Sequence, residues 1–366
     1  MRARPIQAFC RRQQGLSLVE LMVALLIALI LTAGVIQIFL GSNQTYRFTE
    51  GASRVQENAR FAMDTLQRDL RMAGYRGCTR NITSWLNDTS GTEWEHILGG
   101  PAVTGWEAGG TAPGNLFALP GTASWSNGTA SALPTAINND GNRIPGSDIL
   151  VVNGARVLDI QPSASQPQGS VISLTGPNGL PGHSIVLAVA GDCSGGDLWQ
   201  KQSSDSAANL SRGSGGSPGN WPPAGTPFAN IHGGETQILS FRSTAYYVRT
   251  GASGEPSLYR LRLDPRNDED WQAEELVEGV ESMQVLYGLD DTGNRTADEY
   301  VTAAGVSDWE SVVSVRVALL MRSPQEVNNE PDTRVYNLIG TRIDPVDDRR
   351  IRQVATTTVA VRNRLP

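Results

Sequence analysis

The chain has 366 residues, 37 of them acidic and 30 basic, and four of its arginines (Arg2, Arg4, Arg11, Arg12) precede Gly15. Without residues 1–15 the formal charge is −11, from 26 basic and 37 acidic residues. That balance argues against a nucleic-acid partner, which needs a basic stripe, and the length suits one large or two ordinary domains.

The first element is an apolar run. Residues 15–40 read GLSLVELMVALLIALILTAGVIQIFL, and their single charge is Glu20. As a helix the run from Leu16 to Leu40 is long enough to span a bilayer, at roughly 1.5 Å per residue against about 30 Å of hydrocarbon. An acidic residue at the centre of such a segment costs roughly 2.5–3.5 kcal/mol, and less near an end. Glu20 therefore reads as functional. The run exceeds the apolar core of a secretory signal, and the GSNQTYRF that follows holds no A-x-A-like cleavage site. A plain signal anchor would account for its length but not for Glu20, nor for a glycine standing immediately before it. Arginines before the run and none within it place the N-terminus in the cytoplasm and the bulk of the chain across the membrane. In that oxidising compartment Cys78 and Cys193 read as a disulfide, Cys10 belonging to the leader. Two free buried thiols are the alternative.

No proline occurs between Pro5 and Pro101, so a long helix is permitted. Val55, Ala59, Ala62, Leu66, Leu70 and Ala73 step by three and four along one apolar face. Arg54, Glu57, Arg60, Asp64, Arg68 and Arg71 lie off that face, with Asp64 and Arg68 spaced for a favourable i,i+4 pair. Gly74 and Gly77 signal the stop, and Gly34 and Gly41 are expected to loosen the middle. Residues 79–146 read as loops with short elements, and residues 203–225, rich in Gly and Ser, as a mobile surface loop. Trp85, Trp94, Trp106 and Trp125 in the first stretch suit small satellite cores; a ligand-binding platform is the alternative. Strands follow at Asp148–Val152 and Ser184–Ala190. A hairpin follows from Ile238–Arg249 and Ser257–Leu263. Alternating runs occupy 283–289 and 313–321, and a last strand Ile351–Val361. One N-terminal helix followed by many strands predicts an α+β fold with a largely antiparallel sheet.

Catalytic patterns are absent from the sequence. His96, His183 and His232 are scattered, and neither H-x-x-x-H, C-x-x-C nor GxxxxGK[ST] occurs. The chain reads as a non-enzyme without a resident cofactor. One segment, residues 290–299, offers oxygen ligands at alternating positions, and Asp290, Thr292, Asn294 and Asp298 make a candidate calcium loop. It departs from the EF-hand: its glycine stands at position four, and position twelve is Val301. A solvated polar turn is the alternative.

The segment QQGLSLVELMVALLIAL resembles the class III leader of type IV prepilins and type II secretion pseudopilins. That resemblance implies cleavage after Gly15 by a membrane prepilin peptidase, N-methylation of Leu16, and a fibre in which Glu20 pairs with a neighbour's N-terminal amine. A buried pair offsets part of a desolvation cost that a lone charge cannot. LVEGVESMQVLYGLD (276–290), SVVSVRVALLMRS (311–323) and VATTTVAVRNRLP (354–366) are similar to the phrases of the PilW family, the type IV pilus assembly protein W. They set the chain nearer that family than its relative, the type II secretion pseudopilin J. The implied architecture is pilin-like. Residues 1–15 are a leader to be removed, 16–40 the membrane and fibre-core half of a long helix, and 41–74 its amphipathic half. Residues 75–366 are a periplasmic β-rich domain.

The implied function is that of a minor pilin that helps initiate a type IV pilus for twitching motility and adhesion. Its partners would be other minor pilins, the major pilin, the prepilin peptidase and, before assembly, inner-membrane lipid. The domain would face the periplasm and later the pilus tip. A type II secretion minor pseudopilin is the alternative, and a membrane-anchored periplasmic adhesin a more distant one.

Overall fold

Helix α1 runs without a break from Leu18 to Met72. The structure is a computed structural model and describes residues 17–87, 100–129, 132–164, 169–216, 219–222, 225–263, 273–361 and 363. The expectations for Cys10, Gly15, Leu16, Trp94 and His96 lie outside these residues. The chain divides into two units, residues 1–50 and 51–366.

Gly34 and Gly41 stay helical, against the expectation of a loosened middle. A helix-interior glycine costs about 1 kcal/mol, and the Leu, Ile, Ala and Val residues on either side are numerous enough to carry the helix through. In the second unit Val55, Ala59, Ala62, Leu66, Leu70 and Ala73 are all buried, as their spacing requires. Asp64 pairs with Arg60 at 3.9 Å and not with Arg68; both side chains are exposed, so the pair contributes only a few tenths of a kcal/mol. Gly74 ends the helix in the left-handed region (φ 72°) and donates its N–H to the carbonyl of Asn153 at 2.8 Å.

The strands, in chain order, are β1 (Ile82–Ser84), β2 (Val103–Ala108), β3 (Leu116–Ala118), β4 (Trp125–Ser126), β5 (Ile149–Val157) and β6 (Val171–Ser173). Next come β7 (Ile185–Val189), β8 (Gly196–Gln200), β9 (Asn209–Ser211), β10 (Gln237–Thr250), β11 (Pro256–Leu263) and β12 (Ala273–Glu278). The last are β13 (Val280–Leu289), β14 (Glu299–Val301), β15 (Val312–Arg322), β16 (Tyr336–Leu338), β17 (Thr341–Asp344) and β18 (Arg352–Ala360). A large sheet follows the order β1-β8-β7-β10-β5-β2-β4, with β11 and β12 added beside β10. A second sheet has the order β14-β13-β15-β18. Pairing is largely antiparallel, with β1–β8 and β17–β3 parallel. This is the α+β architecture read from the element pattern.

The large sheet is buried on both faces. Leu150, Val152, Tyr246 and Val248 share a core with the second half of α1, β13 and β15. Val151, Ala245, Tyr247 and Tyr259 enter another core on the opposite face, as the two-residue period of a strand requires. Two stretches differ from the sequence expectation. Within 79–146, β2 is buried at all six positions and pairs with β5 inside the sheet; covered on both faces, VTGWEA has no alternation to detect. Within 203–225, Arg212 and Asn220 are buried rather than at the surface. Arg212 is buried with its guanidinium 3.8 Å from the Trp85 ring centroid. Asn220 accepts the N–H of Gln200 at 2.7 Å and donates back to its carbonyl at 2.8 Å.

Two buried carboxyls tie β2 and β5 to the second sheet. Asp148 accepts the N–H of Ala108 and that of Val285, each at 2.8 Å. Glu107 takes a bond from the Thr111 hydroxyl at 3.2 Å. Burial pushes the Glu107 carboxyl up to about 7. Burial, with Glu107 nearby, also raises Asp148 well above the ordinary range. Over them lies the Tyr287 hydroxyl, so close to Gly105 that a Cβ there would meet it at 1.9 Å. A carboxyl whose folded pKa is raised contributes stability that is complete below its unfolded pKa and lost as pH rises through the folded one. For Glu107 the window runs from about 4.5 to about 7. Urea unfolding at pH 8 is therefore expected to give a stability lower than at pH 5 by on the order of 3 kcal/mol. Glu107→Gln should flatten most of that slope. A wild-type slope unchanged by the substitution would contradict the assignment.

Candidate functional site

The functional candidate begins where α1 begins. Ser17 is the residue before the helix, and its hydroxyl accepts the N–H of Glu20 at 3.2 Å. In return the Glu20 carboxylate accepts the N–H of Ser17 at 3.3 Å. This reciprocal pair is a capping box. It satisfies two of the orphan donors of the first turn and sets a negative charge at the positive end of the helix dipole. The S-x-x-E spacing before an apolar run was present in the sequence and was not used there. So the carboxylate that costs most in this segment has a local partner within one chain.

Beyond Glu20 the helix presents bare hydrocarbon. Leu18 is 76%, Leu29 73% and Ile38 74% exposed, and so on around the helix to Leu40. The helix is long and apolar enough to cross a membrane. A soluble protein does not leave such a surface in water; an apolar environment must cover it.

The structure joins Cys78 and Cys193, with Cα atoms 5.5 Å apart at a sequence separation of 115. In the chain-entropy description a loop of that size contributes at most about 4–5 kcal/mol. The bond anchors the segment that leaves α1 to the turn after β7. Cys78 also lines a polar cleft of about 590 Å³ together with Gly74, Arg80, Asp290, Glu310 and Asn363. Two features read separately from the sequence thus meet at one place, Cys78 and the start of the 290–299 loop.

In that loop the candidate calcium ligands bond to the loop's own groups. Asp298 accepts the N–H groups of Asp291 and Thr292 at 2.9 and 3.1 Å. Asp290 accepts those of Asn294 and Arg295 at 3.0 and 2.8 Å, and Asn294 accepts that of Thr296 at 2.8 Å. These are the side-chain-to-backbone bonds of a polar turn. Among the described residues no three His, Cys, Asp or Glu side chains gather as a metal set.

Sequence reasoning also missed a buried polar centre. Asp197 accepts bonds from Trp85 Nε1 at 2.6 Å, from the N–H groups of Ala229 and Asn230, and lies 2.9 Å from His232 Nε2. Burial opposes its charge, but these bonds outweigh burial and lower its pKa. Trp85, Trp199 and Phe228 pack around it as a satellite core, the use of Trp85 expected above. His232 and Asp197 are 35 residues apart, so no local spacing signalled them.

Comparison with known families agrees with this placement. The model described as "Type IV Pilus-assembly protein W" matches residues 245–363. That described as "Prokaryotic N-terminal methylation motif" matches residues 10–36. No curated protein matches the chain, and no solved structure does. The first match covers the end of β10 and all of β11 to β18. The second covers residues 10–17, Glu20 and the first turns of the exposed apolar helix. With the methylation motif at one end and the paired strands β13, β15 and β18 at the other, the chain is similar to type IV pilus-related pilins over its apolar N-terminus and to the PilW family over its C-terminal third.

Proposed function

We propose that the chain is a minor pilin, a non-catalytic subunit that helps initiate assembly of a type IV pilus. The observation that carries this reading is the exposed apolar helix from Leu18 to Leu40, opened by a single carboxylate. In the precursor that surface lies in inner-membrane lipid, with the β-rich domain in the periplasm. The prepilin peptidase cuts after Gly15 on the cytoplasmic side, so the helix stays attached to the product. In the fibre the same surface packs on the helices of other minor pilins and of the major pilin. There Glu20 exchanges part of its capping bond for the N-terminal amine of a neighbour, which sets the register. The domain of residues 75–366 makes the contacts specific to the initiating complex and ends at the fibre tip.

A chromosomal deletion tests the reading. Surface fibres and twitching should be lost, and restored by the intact gene, while exoprotein secretion continues. Loss of secretion with twitching intact would make the chain a pseudopilin of a type II system.

A further inference from the structure

We propose that the free edge of β18 is a docking edge for an extended strand presented by another subunit of the same fibre. This rests on the minor-pilin reading for the identity of the partner, and on the sheet itself for the surface.

A strand at a sheet edge carries backbone N–H and C=O groups that no neighbour satisfies, and proteins normally protect such edges. The other edges here are protected in recognisable ways. β1, β3, β14 and β16 are three residues long and β4 is two. β12 carries Glu274, Glu275 and Glu278, and its pairing with β11 is broken by an irregularity at Leu258 and Tyr259. β18 has none of these devices. It is nine residues long, uncharged from Gln353 to Ala360, and free of proline. Its register with β15 runs unbroken from Arg322↔Arg352 to Ser314↔Ala360, without a bulge. Every second residue of such a strand turns its N–H and C=O away from the partner it already has. Among the described residues, backbone bonds to 353–360 come from β15 alone. β18 is thus a long edge in unbroken register with its one neighbour.

The side chains state what fits. Thr357 is turned toward α1, where its hydroxyl accepts from Gln67 Nε2 at 2.8 Å. Val359 is buried in the core that α1 shares. Thr356, Thr358 and Ala360, on the opposite face, are exposed. A strand laid beside β18 would continue the second sheet, and uncharged β-branched or small side chains would pair best with this row. At the N-terminal end Arg349 is exposed, so an acidic residue at the matching end of the incoming strand completes the fit. A second copy of β18 laid antiparallel would bring residues 361–366, VRNRLP, opposite Arg349, and these hold two arginines and no acid. That favours a different subunit over self-pairing.

Amide hydrogen exchange tests this on the full chain in detergent, alone and in the complex that co-purifies with it from its native membrane. In the free chain, alternate amides of 353–360 should exchange fast and the rest slowly. In a complex containing other pilus subunits, the fast set should slow by about tenfold or more. Thr356→Lys with Thr358→Lys should reduce co-purification of those subunits by about tenfold or more, and Thr356→Val with Thr358→Val should not. Fast alternate amides in a complex that does contain pilus subunits would overturn the docking edge and leave the minor-pilin reading standing. Protection that appears in the isolated chain and grows with its concentration would overturn the choice of partner and make the edge a self-association surface. A complex without any pilus subunit would overturn both the inference and the reading it rests on.

Discussion

Glu20→Ala is expected to reduce pilus assembly to the level of a gene deletion while the protein stays abundant and membrane-inserted. The helix does not need Glu20 to persist. Removing one side of a capping interaction costs about 0.5–2 kcal/mol, against a run of more than twenty apolar residues whose insertion the substitution favours. What the alanine removes is the only negative charge of the apolar segment from Leu18 to Leu40, the surface that other subunits cover in the proposed assembly. Leaving the opposite charge buried without its partner costs about 3–5 kcal/mol. Incorporation should therefore fall by about a hundredfold or more. Glu20→Gln separates the two roles. Glutamine can close the same capping box with Ser17, yet it carries no charge. The account requires Glu20→Gln to fail in assembly nearly as badly as Glu20→Ala, read as the amount of the subunit in sheared surface fibres. Full assembly by the glutamine variant would mean that capping, and not charge pairing, is what Glu20 supplies.

The largest effect on the folded domain is expected from Glu281→Ala. Arg352 is fully buried, and Glu281 holds it through two bonds, Nε to Oε2 at 2.7 Å and Nη2 to Oε1 at 3.0 Å. Glu281 also accepts from Arg322 at 2.9 Å. The network continues through Glu255, which pairs with Arg322 and Arg350, and through Asp348, 2.8 Å from Arg352. The backbone explains why Glu281 reaches these arginines. The ladder between β13 and β15 shifts register between Val280 and Ser282, so Glu281 is the extra residue of a bulge, a device that re-aims a side chain. Burial opposes the charge on Arg352, but the bonds from Glu281 and Asp348 carry its pKa above the ordinary arginine value. Removing Glu281 takes away both bonds to Nε and Nη2 of a buried cation and leaves it, among carboxylates, only Asp348 at 2.8 Å and Asp332 at 3.8 Å, and the expected loss is about 3 kcal/mol in chemical denaturation. Replacing both Glu281 and Arg352 by apolar residues should recover much of that loss, because no unpaired charge then remains. A single-variant loss below about 1 kcal/mol would contradict the role assigned to the pair.

Much of the molecule was legible where the signal was local. The stripe from Val55 to Ala73 has a helical period, and Val313 to Met321 a strand period, because one face of each element meets the core. The glycine that ends α1, Gly74, stood out because a helix stop is also a local signal. What escaped the sequence was fixed by distant burial. β2 is covered on both faces and shows no alternation. Asp197 meets His232, and Glu107 the region of Asp148, only after the sheet has formed. The Gly/Ser-rich stretch around Arg212 and Asn220 looked loose because composition averages away the two side chains it buries. The Asp64 pairing was misassigned for a smaller reason: Arg60 and Arg68 are both one turn away, and an exposed pair is too weak for spacing alone to choose.

The central claim is that Gly15 and Leu16 are a processing junction and that the helix beyond them is an assembly surface. Intact-mass and fragment analysis of the mature N-terminus, on protein isolated from its own membrane, tests it most directly. The account predicts a chain that begins at Leu16 and carries one methyl group on its α-amine. A mature chain that begins at Met1, or an unmethylated one cut elsewhere, would contradict it.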